Sequence, residues 1–377
     1  MFPALALFLL SALLLAYTFA GYALLMRALA RARGAAAPPP AAEQPVVMCV
    51  VVAFNEQERI AARVADLLAA EYPPDKLGVI VVSDGSTDAT AARVRAIGDA
   101  RVVLIEQPER SGKAAGLNAA LAQCRGEIVV FADARQRFGA RTIAHLVRHF
   151  ADAEVGAVSG ELEIEAAASG VGQAVDAYWR MEKRLRADEA RWDSCIGCTG
   201  AVYAIRRALY RPIADDTLLD DVVIPMQIAA QGARVLHDPE APAFDPQQLE
   251  PEREQARKRR TLAGNFQMLF RHPAWLLPRG HRLWWQFLSH KVLRLIAPAL
   301  LLIVFATNVA LLPHPLFRAI FAAQLAFYAL ALLGMAVPQV RARIVSLPAG
   351  FVFLNIATVR ALWHYATSEK LHHWRSQ

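Results

Sequence analysis

The chain has 377 residues, of which 55% are hydrophobic and 20% are charged, and its formal net charge is +7 at pH 7. Its apolar residues are concentrated at the two ends, and this distribution argues against a simple soluble enzyme. It predicts a membrane protein with one soluble part of catalytic size. A basic chain could also bind nucleic acid, but no recognition motif and no interleaved aromatic residues support that partner.

The N-terminal segment, residues 1–30, is predicted to be a transmembrane anchor. Residues 2–26 carry no charge, and a stretch of that length can cross a bilayer core of about 30 Å. Because Arg27 and Arg31 follow this stretch, the positive-inside rule places the next domain in the cytoplasm. We therefore predict a multi-pass protein of the inner or plasma membrane, and its basic residues should contact anionic lipids. Residues 31–45 are predicted to be an extended linker rich in proline and alanine.

Four strand-turn-helix units follow within residues 46–150. The predicted strands are apolar and rich in valine, as in strands buried on both faces, and they comprise residues 46–53, 79–82, 101–106 and 128–132. The predicted helices comprise residues 57–70, 89–97, the stretch after Ser111 and residues 141–150. This alternation predicts an α/β fold with a mostly parallel, doubly wound, Rossmann-like sheet.

Three of the four predicted strands end at a carboxylate: Glu56, Asp84 and Asp133. Ligands bind at the carboxyl edge of such sheets, so this convergence predicts a nucleotide site. Asp88, in contrast, is predicted to be a helix cap or turn residue. The chain has no glycine-rich dinucleotide motif after its first strand and no Walker motif, which argues against both of those sites. Lys113 lies in a basic loop before a helix and is suited to bind phosphate.

The motifs of this region resemble those of a known family. In chain order they are A-F-N-E (53–56), V-S-D-G-S-T-D (82–88), G-K-A-A-G-L-N-A-A-L (112–121) and F-A-D-A (131–134). Together they resemble membrane-bound family 2 glycosyltransferases of the GT-A fold, the superfamily of the cellulose and hyaluronan synthases. Members are inverting enzymes that usually use uridine diphosphate (UDP) sugars.

This resemblance covers about residues 46–267 and implies a cytoplasmic GT-A domain over residues 46–270. Its nucleotide-sugar half would be residues 46–150 and its acceptor half residues 151–270. The resemblance implies the following nucleotide-sugar-binding residues: Ala53, Asn55, Glu56, Asp84, Lys113, Asn118, Asp133, Arg135, Arg257 and Arg260. Of these, Ala53, Asn55, Glu56 and Asp84 would hold the uridine and ribose.

Two departures from the family pattern affect the donor side. Asp133 matches the first acid of the D-x-D motif that holds Mg²⁺ or Mn²⁺ in relatives, but Arg135 stands in place of the second acid. Either a weaker metal site remains on Asp133, or Arg135 itself provides positive charge for the diphosphate. We expect metal dependence to remain, because a diphosphate brings metal ligands of its own.

The second departure lies in the place of the family's Q-x-x-R-W motif. Arg260 matches its arginine, expected at the leaving diphosphate, whereas Arg257 and Thr261 replace its glutamine and tryptophan. An arginine cluster can neutralise a diphosphate. The missing tryptophan argues against processive synthesis of long chains.

The acceptor side is also implied by resemblance. Residues 197–206 resemble the family's acceptor loop, with Cys198, Thr199 and Gly200 as acceptor-binding residues. Residues 218–222, L-L-D-D-V, resemble the segment with the catalytic base, which we assign to Asp221 with Asp220 as its support. A one-residue shift would exchange the two roles, and a solvated acidic turn is the alternative interpretation. Cys195 and Cys198 form a C-x-x-C pair, but no second pair completes a zinc site.

The C-terminal part is predicted to return to the membrane. Residues 271–294 alternate aromatic and basic side chains, which predicts an interfacial amphipathic helix. Residues 295–377 should then form a transmembrane region of two or three segments. Residues 295–312 and 316–337 are two predicted spans, and residues 344–359 are either a third span or a re-entrant piece.

The function we predict first is that of an inverting glycosyltransferase. It would move a sugar from a UDP-sugar to a membrane-associated glycan or lipid-linked acceptor, in exopolysaccharide or cell-surface glycan synthesis. The alternative is a glycolipid glycosyltransferase that adds one sugar to a membrane lipid. A third hypothesis is a non-catalytic regulator that binds nucleotide sugars, motivated by the altered D-x-D and Q-x-x-R-W motifs.

Overall fold

The structure is a computed structural model that describes residues 2–34, 44–164, 173–245, 251–337 and 342–367. Within helices, the side chains of residues 173–180 and 251–258 lie outside this description. The described chain forms a mixed α/β domain and a set of long apolar helices.

The described chain starts with one long apolar helix, Phe2–Arg33. Helix α1 (Phe2–Ala16) continues through a wide turn at Tyr17–Gly21 into α2 (Tyr22–Arg33). The long helix ends at Gly34, whose φ of 75° is accessible mainly to glycine. The helix therefore includes the first three residues of the predicted linker, 31–45, and residues 35–43 of that linker lie outside the described residues.

Residues 46–150, the predicted nucleotide-sugar half, have the predicted alternation of strands and helices. Its strands are β1 (Val47–Ala53), β2 (Leu77–Asp84), β3 (Val102–Gln107) and β4 (Ile128–Ala132). Its helices are α3 (Ile60–Leu68), α4 (Thr90–Arg95), α5 (Lys113–Gln123) and α6 (Thr142–Arg148). The four strands are parallel in the order β3-β2-β1-β4. Their carboxyl ends therefore meet at one edge, as predicted.

The second half completes an eight-stranded sheet. Its strands are β5 (Arg137–Phe138), β6 (Val155–Ile164), β7 (Val202–Arg206) and β8 (Arg234–Asp245). Its helices are α7 (Gln173–Trp192), α8 (Asp220–Ala230) and α9 (Pro251–Arg271). The full strand order is β3-β2-β1-β4-β7-β6-β8-β5. Part of the predicted acceptor loop, 197–206, is thus strand β7, because its apolar residues pair with β4 and are buried.

The core lies on both faces of this sheet. Alternate residues of β1 point to opposite faces: Val50 packs with α5 and α8 residues, whereas Cys49 and Val51 pack with α3 and α6 residues. Covering both faces excludes water from nearly every side chain of β1, β2 and β4. This burial explains why these strands are continuous valine-rich runs rather than alternating ones.

The C-terminal region differs from the prediction at its start. Residues 271–294 do not form one interfacial helix: α9 ends at Arg271, a short turn occupies Pro273–Leu276, and a new helix begins at Trp284. The physical reason is burial, because Trp275, Leu283 and Phe287 pack into the main core instead of facing a lipid surface.

The new helix consists of α10 (Trp284–Gln286), a wide turn (Phe287–Val292) and α11 (Leu293–Ala310), and α12 (Pro315–Ala336) and α13 (Arg343–Thr367) follow. By length and composition, the described chain has four helices that could cross a membrane: Phe2–Arg33, Trp284–Ala310, Pro315–Ala336 and Arg343–Thr367. The last of these contains residues 344–359, for which a third span and a re-entrant piece are both predicted. α1 packs against α11, and α12 packs against α13.

Candidate active site

Lys113 stands at the centre of the site. It is the first residue of α5, directly after Gly112, whose φ is 96°. Its Nζ lies 2.9 Å from Asp133 Oδ1 and 3.4 Å from Asp220 Oδ2. Burial alone would lower the pKa of Lys113, but Asp133 and Asp220 together raise it above its usual range. One ammonium group therefore joins the end of β4 to the acidic start of α8.

The backbone carbonyl of Asp133 is hydrogen-bonded to a buried arginine, Arg63. Arg63 Nε donates to the Asp133 carbonyl oxygen at 3.0 Å, and its guanidinium also binds Asp66 and lies 4.1 Å above the Phe138 ring. Burial tends to raise the pKa of Asp133, but the nearby Lys113 lowers it below its usual range. Asp133 is thus an ionised carboxylate in a fixed position at the sheet edge.

Asp220 and Asp221 form the first turn of α8. Burial and the adjacent Asp220 together raise the pKa of Asp221 to about 6. The Asp221 carbonyl accepts the Cys198 N–H at 2.7 Å. A Cβ at Gly200 would lie only 2.9 Å from Asp221 Oδ2, so a side chain there would displace the carboxylate. The predicted acceptor loop therefore lies directly against the predicted base.

The loop around Thr199 is held from two sides. The Thr199 N–H donates to Ser159 Oγ at 2.9 Å, and Arg186 Nη1 donates to Thr199 Oγ1 at 2.5 Å. Cys195 and Cys198 are free and buried, and burial raises the pKa of Cys195 to about 12 and that of Cys198 above its usual range. With pKa values raised in this way, both thiols are protonated at neutral pH.

The segments that follow β1 and β2 are hydrogen-bonded to each other. Asn55, whose φ is 52°, accepts the Thr87 N–H at 2.9 Å and donates to Thr87 Oγ1 at 3.3 Å. The Glu56 N–H donates to Thr90 Oγ1 at 2.8 Å, and Ala53 is buried at the end of β1. Asp88 accepts the Thr90 N–H at 2.9 Å, as predicted for a turn residue, whereas the N-cap of α4 is Ala89.

Asp84 is engaged with the chain itself. Its carboxylate accepts the N–H groups of Ser111 at 2.7 Å and Gly112 at 2.9 Å, and its side chain is buried. It thereby fixes the loop that precedes Lys113. Asn118 is also fully used: it accepts from Tyr210 Oη at 2.6 Å and donates to the Ile213 carbonyl at 2.8 Å. The side chain of Asn118, predicted to bind the nucleotide sugar, is thus hydrogen-bonded to the segment around Ile213.

The arginines of the predicted donor side have different positions. Arg260 donates to the Leu218 carbonyl at 3.2 Å, and its charge helps to lower the pKa of both Asp133 and Asp221. Arg135 forms an ion pair with the buried Asp245 at 2.7 Å. The side chain of Arg257 lies outside the described residues.

The structure also shows residues that sequence reasoning missed. Arg63 lies at a core position, since Ile60, Val64 and Leu67 of the same helical stripe are buried. A charged residue within an apolar stripe was the available signal. Asp245 carried no such signal, because only folding places the end of β8 beside Arg135. Arg186 carried none either, because only folding places it against Thr199.

Comparison with known proteins agrees with this geometry. The family model "Glycosyl transferase family 2" matches residues 48–213. An N-acetylglucosaminyltransferase from Rhizobium meliloti (strain 1021) is 33% identical over 183 residues, which are 47% of this chain and 41% of that protein. A beta-monoglucosyldiacylglycerol synthase from Synechocystis is 31% identical over 150 residues, which are 37% of this chain and 31% of that protein. This chain thus matches less than half the length of either relative.

A solved structure extends the similarity in fold. The mannosyltransferase PcManGT from Pyrobaculum calidifontis, determined in complex with GDP-Man and Mn²⁺, superposes with a TM-score of 0.73. The superposition covers 97% of this chain and 100% of that chain at 24% identity. Together with the sheet order, the structural similarity shows that the α/β part of the chain has the GT-A fold, and residues 48–213 match the glycosyltransferase family 2 model.

Proposed function

We propose that the protein transfers a sugar from a nucleotide sugar, with UDP-sugars as the first choice, to a hydroxyl group of a membrane-associated acceptor. The observation that carries this proposal is the position of Lys113 between Asp133 and Asp220. It joins the acid expected beside the donor diphosphate to the acid pair expected beside the acceptor. A single site of this kind suits group transfer between two bound molecules.

The residues of the site suit an in-line displacement. The acceptor oxygen would attack the anomeric carbon, the bond from that carbon to the diphosphate oxygen would break, and the hydroxyl proton would pass to Asp221. The product would have an inverted configuration, and the nucleoside diphosphate would leave with the bonding electron pair. Lys113 and Arg260 would stabilise its negative charge. A base with a pKa of about 6 is mostly ionised at neutral pH and still accepts a proton efficiently.

The apolar helices support an acceptor at the membrane. Among the described residues, four helices could cross a bilayer by length and composition; α2 packs against α7, and α13 packs against α9. Arg186 lies on α7 and Arg260 lies on α9, so both arginines belong to helices that pack directly against the apolar helices. By the positive-inside rule, the catalytic domain would be cytoplasmic, on the inner or plasma membrane. The acceptor would be a glycan, a lipid-linked sugar or a membrane lipid.

Labelled donor tests this function and distinguishes its two versions. We expect native membranes that contain the protein to transfer label from a UDP-sugar, and membranes from cells without it to transfer none. One added sugar on an extractable lipid would identify the glycolipid version, whereas label in a polymer would identify glycan synthesis. If UDP-sugars and GDP-mannose give neither transfer nor hydrolysis, the protein is instead a binding regulator.

A divalent cation fits the donor side through Asp133. The side chain of Asp133 is 39% exposed, and one of its oxygens contacts Lys113. The other carboxylate oxygen can coordinate a metal ion, and Mg²⁺ typically binds one or two carboxylates together with substrate phosphates. We therefore propose that Asp133 holds Mg²⁺ or Mn²⁺, which when bound neutralises charge on the diphosphate. Asp245 is buried and occupied by Arg135 and Gln136, so it does not take the place of the second acid.

Metal removal should weaken nucleotide binding. We expect UDP with Mn²⁺ to raise the unfolding temperature of the purified protein, because saturating ligand stabilises a folded state by about 2–4 kcal/mol. Excess chelator, or Asp133→Asn, should remove most of this shift. Arg135→Ala is the comparison variant and should retain metal dependence. If UDP stabilises the wild type equally in chelator, and Arg135→Ala loses that effect, Arg135 rather than a metal neutralises the diphosphate.

A further inference from the structure

We propose that Arg186 and Lys291 form an anion-binding subsite beside Asp221, and that the acceptor has a phosphate-bearing lipid headgroup. This inference rests on the proposed glycosyl transfer and names the chemical class of its acceptor. The phosphate would bind next to the hydroxyl group that receives the sugar.

Arg186 reaches the acceptor loop from α7. Its Nη1 donates to Thr199 Oγ1 at 2.5 Å, and the next residue, Gly200, is the one whose backbone lies against Asp221. The side chain of Arg186 is half-buried. In the part of the chain that the structure describes, no carboxylate forms an ion pair with it.

Lys291 is the second cation of the proposed subsite. It lies in the turn Phe287–Val292, at the start of a helix that could cross the bilayer. The preceding residue, His290, contacts Glu182 and Glu189 of α7, which flank Arg186, and the charge of Lys291 also acts on Asp221. Like Arg186, it is half-buried and has no ion-pair partner among the described residues. Glu182 is close enough to attract it, and Arg186 is close enough to repel it.

The two cations are held together by a clamp between α7 and the membrane helix. His290 Nδ1 lies 2.9 Å from Glu189 Oε1, and His290 Nε2 lies 3.0 Å from Glu182 Oε2. Glu182 also binds Arg294, and Tyr22 Oη donates to Glu189 at 2.6 Å. Because Glu182 and Glu189 flank Arg186 on one helical face, the clamp fixes Arg186 near the residue after His290. Both glutamates are already engaged by these partners.

Two half-buried cations that repel each other destabilise the folded state unless an anion compensates their charge. Of the acids near this pair, Glu182 and Glu189 are engaged by His290, and Asp220 and Asp221 interact with Lys113 and Arg260. A phosphate is the anion that suits this pair, since a guanidinium binds phosphate oxygens in a bidentate manner and an ammonium adds a point charge. The donor diphosphate is expected at Asp133, so the anion bound here belongs to the acceptor.

The test measures binding of three probes to the purified full-length protein: dodecyl phosphate, dodecyl glucoside and inorganic phosphate. We expect dodecyl phosphate to bind the wild type more than tenfold more tightly than either other probe. Arg186→Gln and Lys291→Gln should each weaken this binding by about tenfold, as expected for loss of one charged hydrogen bond. Arg186→Lys should retain part of it. The matched control is Arg184→Gln, an exposed residue of the same helix, which should bind like the wild type.

UDP binding and donor hydrolysis in the same samples show whether each variant is folded. The subsite proposal is wrong if dodecyl glucoside binds as tightly as dodecyl phosphate, or if neither glutamine variant weakens binding while UDP still binds. Equal binding of inorganic phosphate would mean that the site takes free phosphate and would also reject a lipid acceptor. Loss of UDP binding and of sugar release in the wild type would instead reject the proposed glycosyl transfer itself.

Discussion

Asp221→Asn should lower the rate of sugar transfer by about 10²–10⁴-fold, the usual contribution of a general base. Asparagine has nearly the same size and fits against Gly200, but its amide cannot accept the acceptor's proton. The measurement is the initial rate of transfer from a saturating UDP-sugar, together with UDP binding by thermal shift. UDP binding should be unchanged, since Asp221 lies on the acceptor side of Lys113.

The pH profile distinguishes this role from a structural one. With a pKa of about 6, Asp221 is protonated below pH 6, so the wild-type rate should fall as pH decreases through that value. Asp220→Asn should move this fall to lower pH, because it removes the like charge that helps raise the pKa of Asp221. Asp75→Asn, an exposed change in the turn before β2, is the control. Asp221 is not the base if Asp221→Asn retains a rate within a few-fold of the wild type.

Arg63→Ala should destabilise the domain by about 3–5 kcal/mol, the usual cost of breaking a buried ion pair. The Arg63 side chain is only 1% exposed, and the change removes the partner of Asp66 and the support of the Asp133 carbonyl. It also leaves a cavity over the Phe138 ring. Thermal unfolding of the full chain in detergent measures this effect, and UDP binding measures the position of Asp133.

The matched control is Arg59→Ala, whose side chain is 57% exposed in its pair with Glu56. Such surface pairs contribute about 0–1 kcal/mol, so the unfolding temperature should hardly change. Arg63→Met retains most of the packing volume without the hydrogen bonds, and it should fall between the two. Equal unfolding temperatures for Arg63→Ala and Arg59→Ala would show that Arg63 does not hold this edge of the sheet.

The sequence was sufficient to predict the nucleotide half of the fold. Strands such as β1 and β4 are short valine-rich runs that end in polar residues, and burial on both faces of a parallel sheet satisfies such runs. The positions of Asp84 and Asp133 at strand ends followed from this, as did the long apolar helices. These are local patterns, so a single sequence contains them.

The predicted interfacial helix shows where local patterns fail. Residues 271–294 have aromatic and basic side chains at spacings typical of a membrane surface. Trp275 and Phe287 are nevertheless buried in the domain core. Both environments favour the same residue types, and only the tertiary structure determines which surface an aromatic side chain covers.

The sequence by itself determined the fold of the nucleotide half, the family resemblance and the types of residue available for chemistry. The tertiary structure decided which of them meet: Lys113 with both Asp133 and Asp220, Arg63 with the Asp133 carbonyl, and Arg186 with Thr199. These contacts join distant parts of the chain. The pKa of an acid such as Asp221 depends on its burial and on neighbouring charges, and so does the affinity of a cation for an anion. Folding determines the burial and the neighbouring charges.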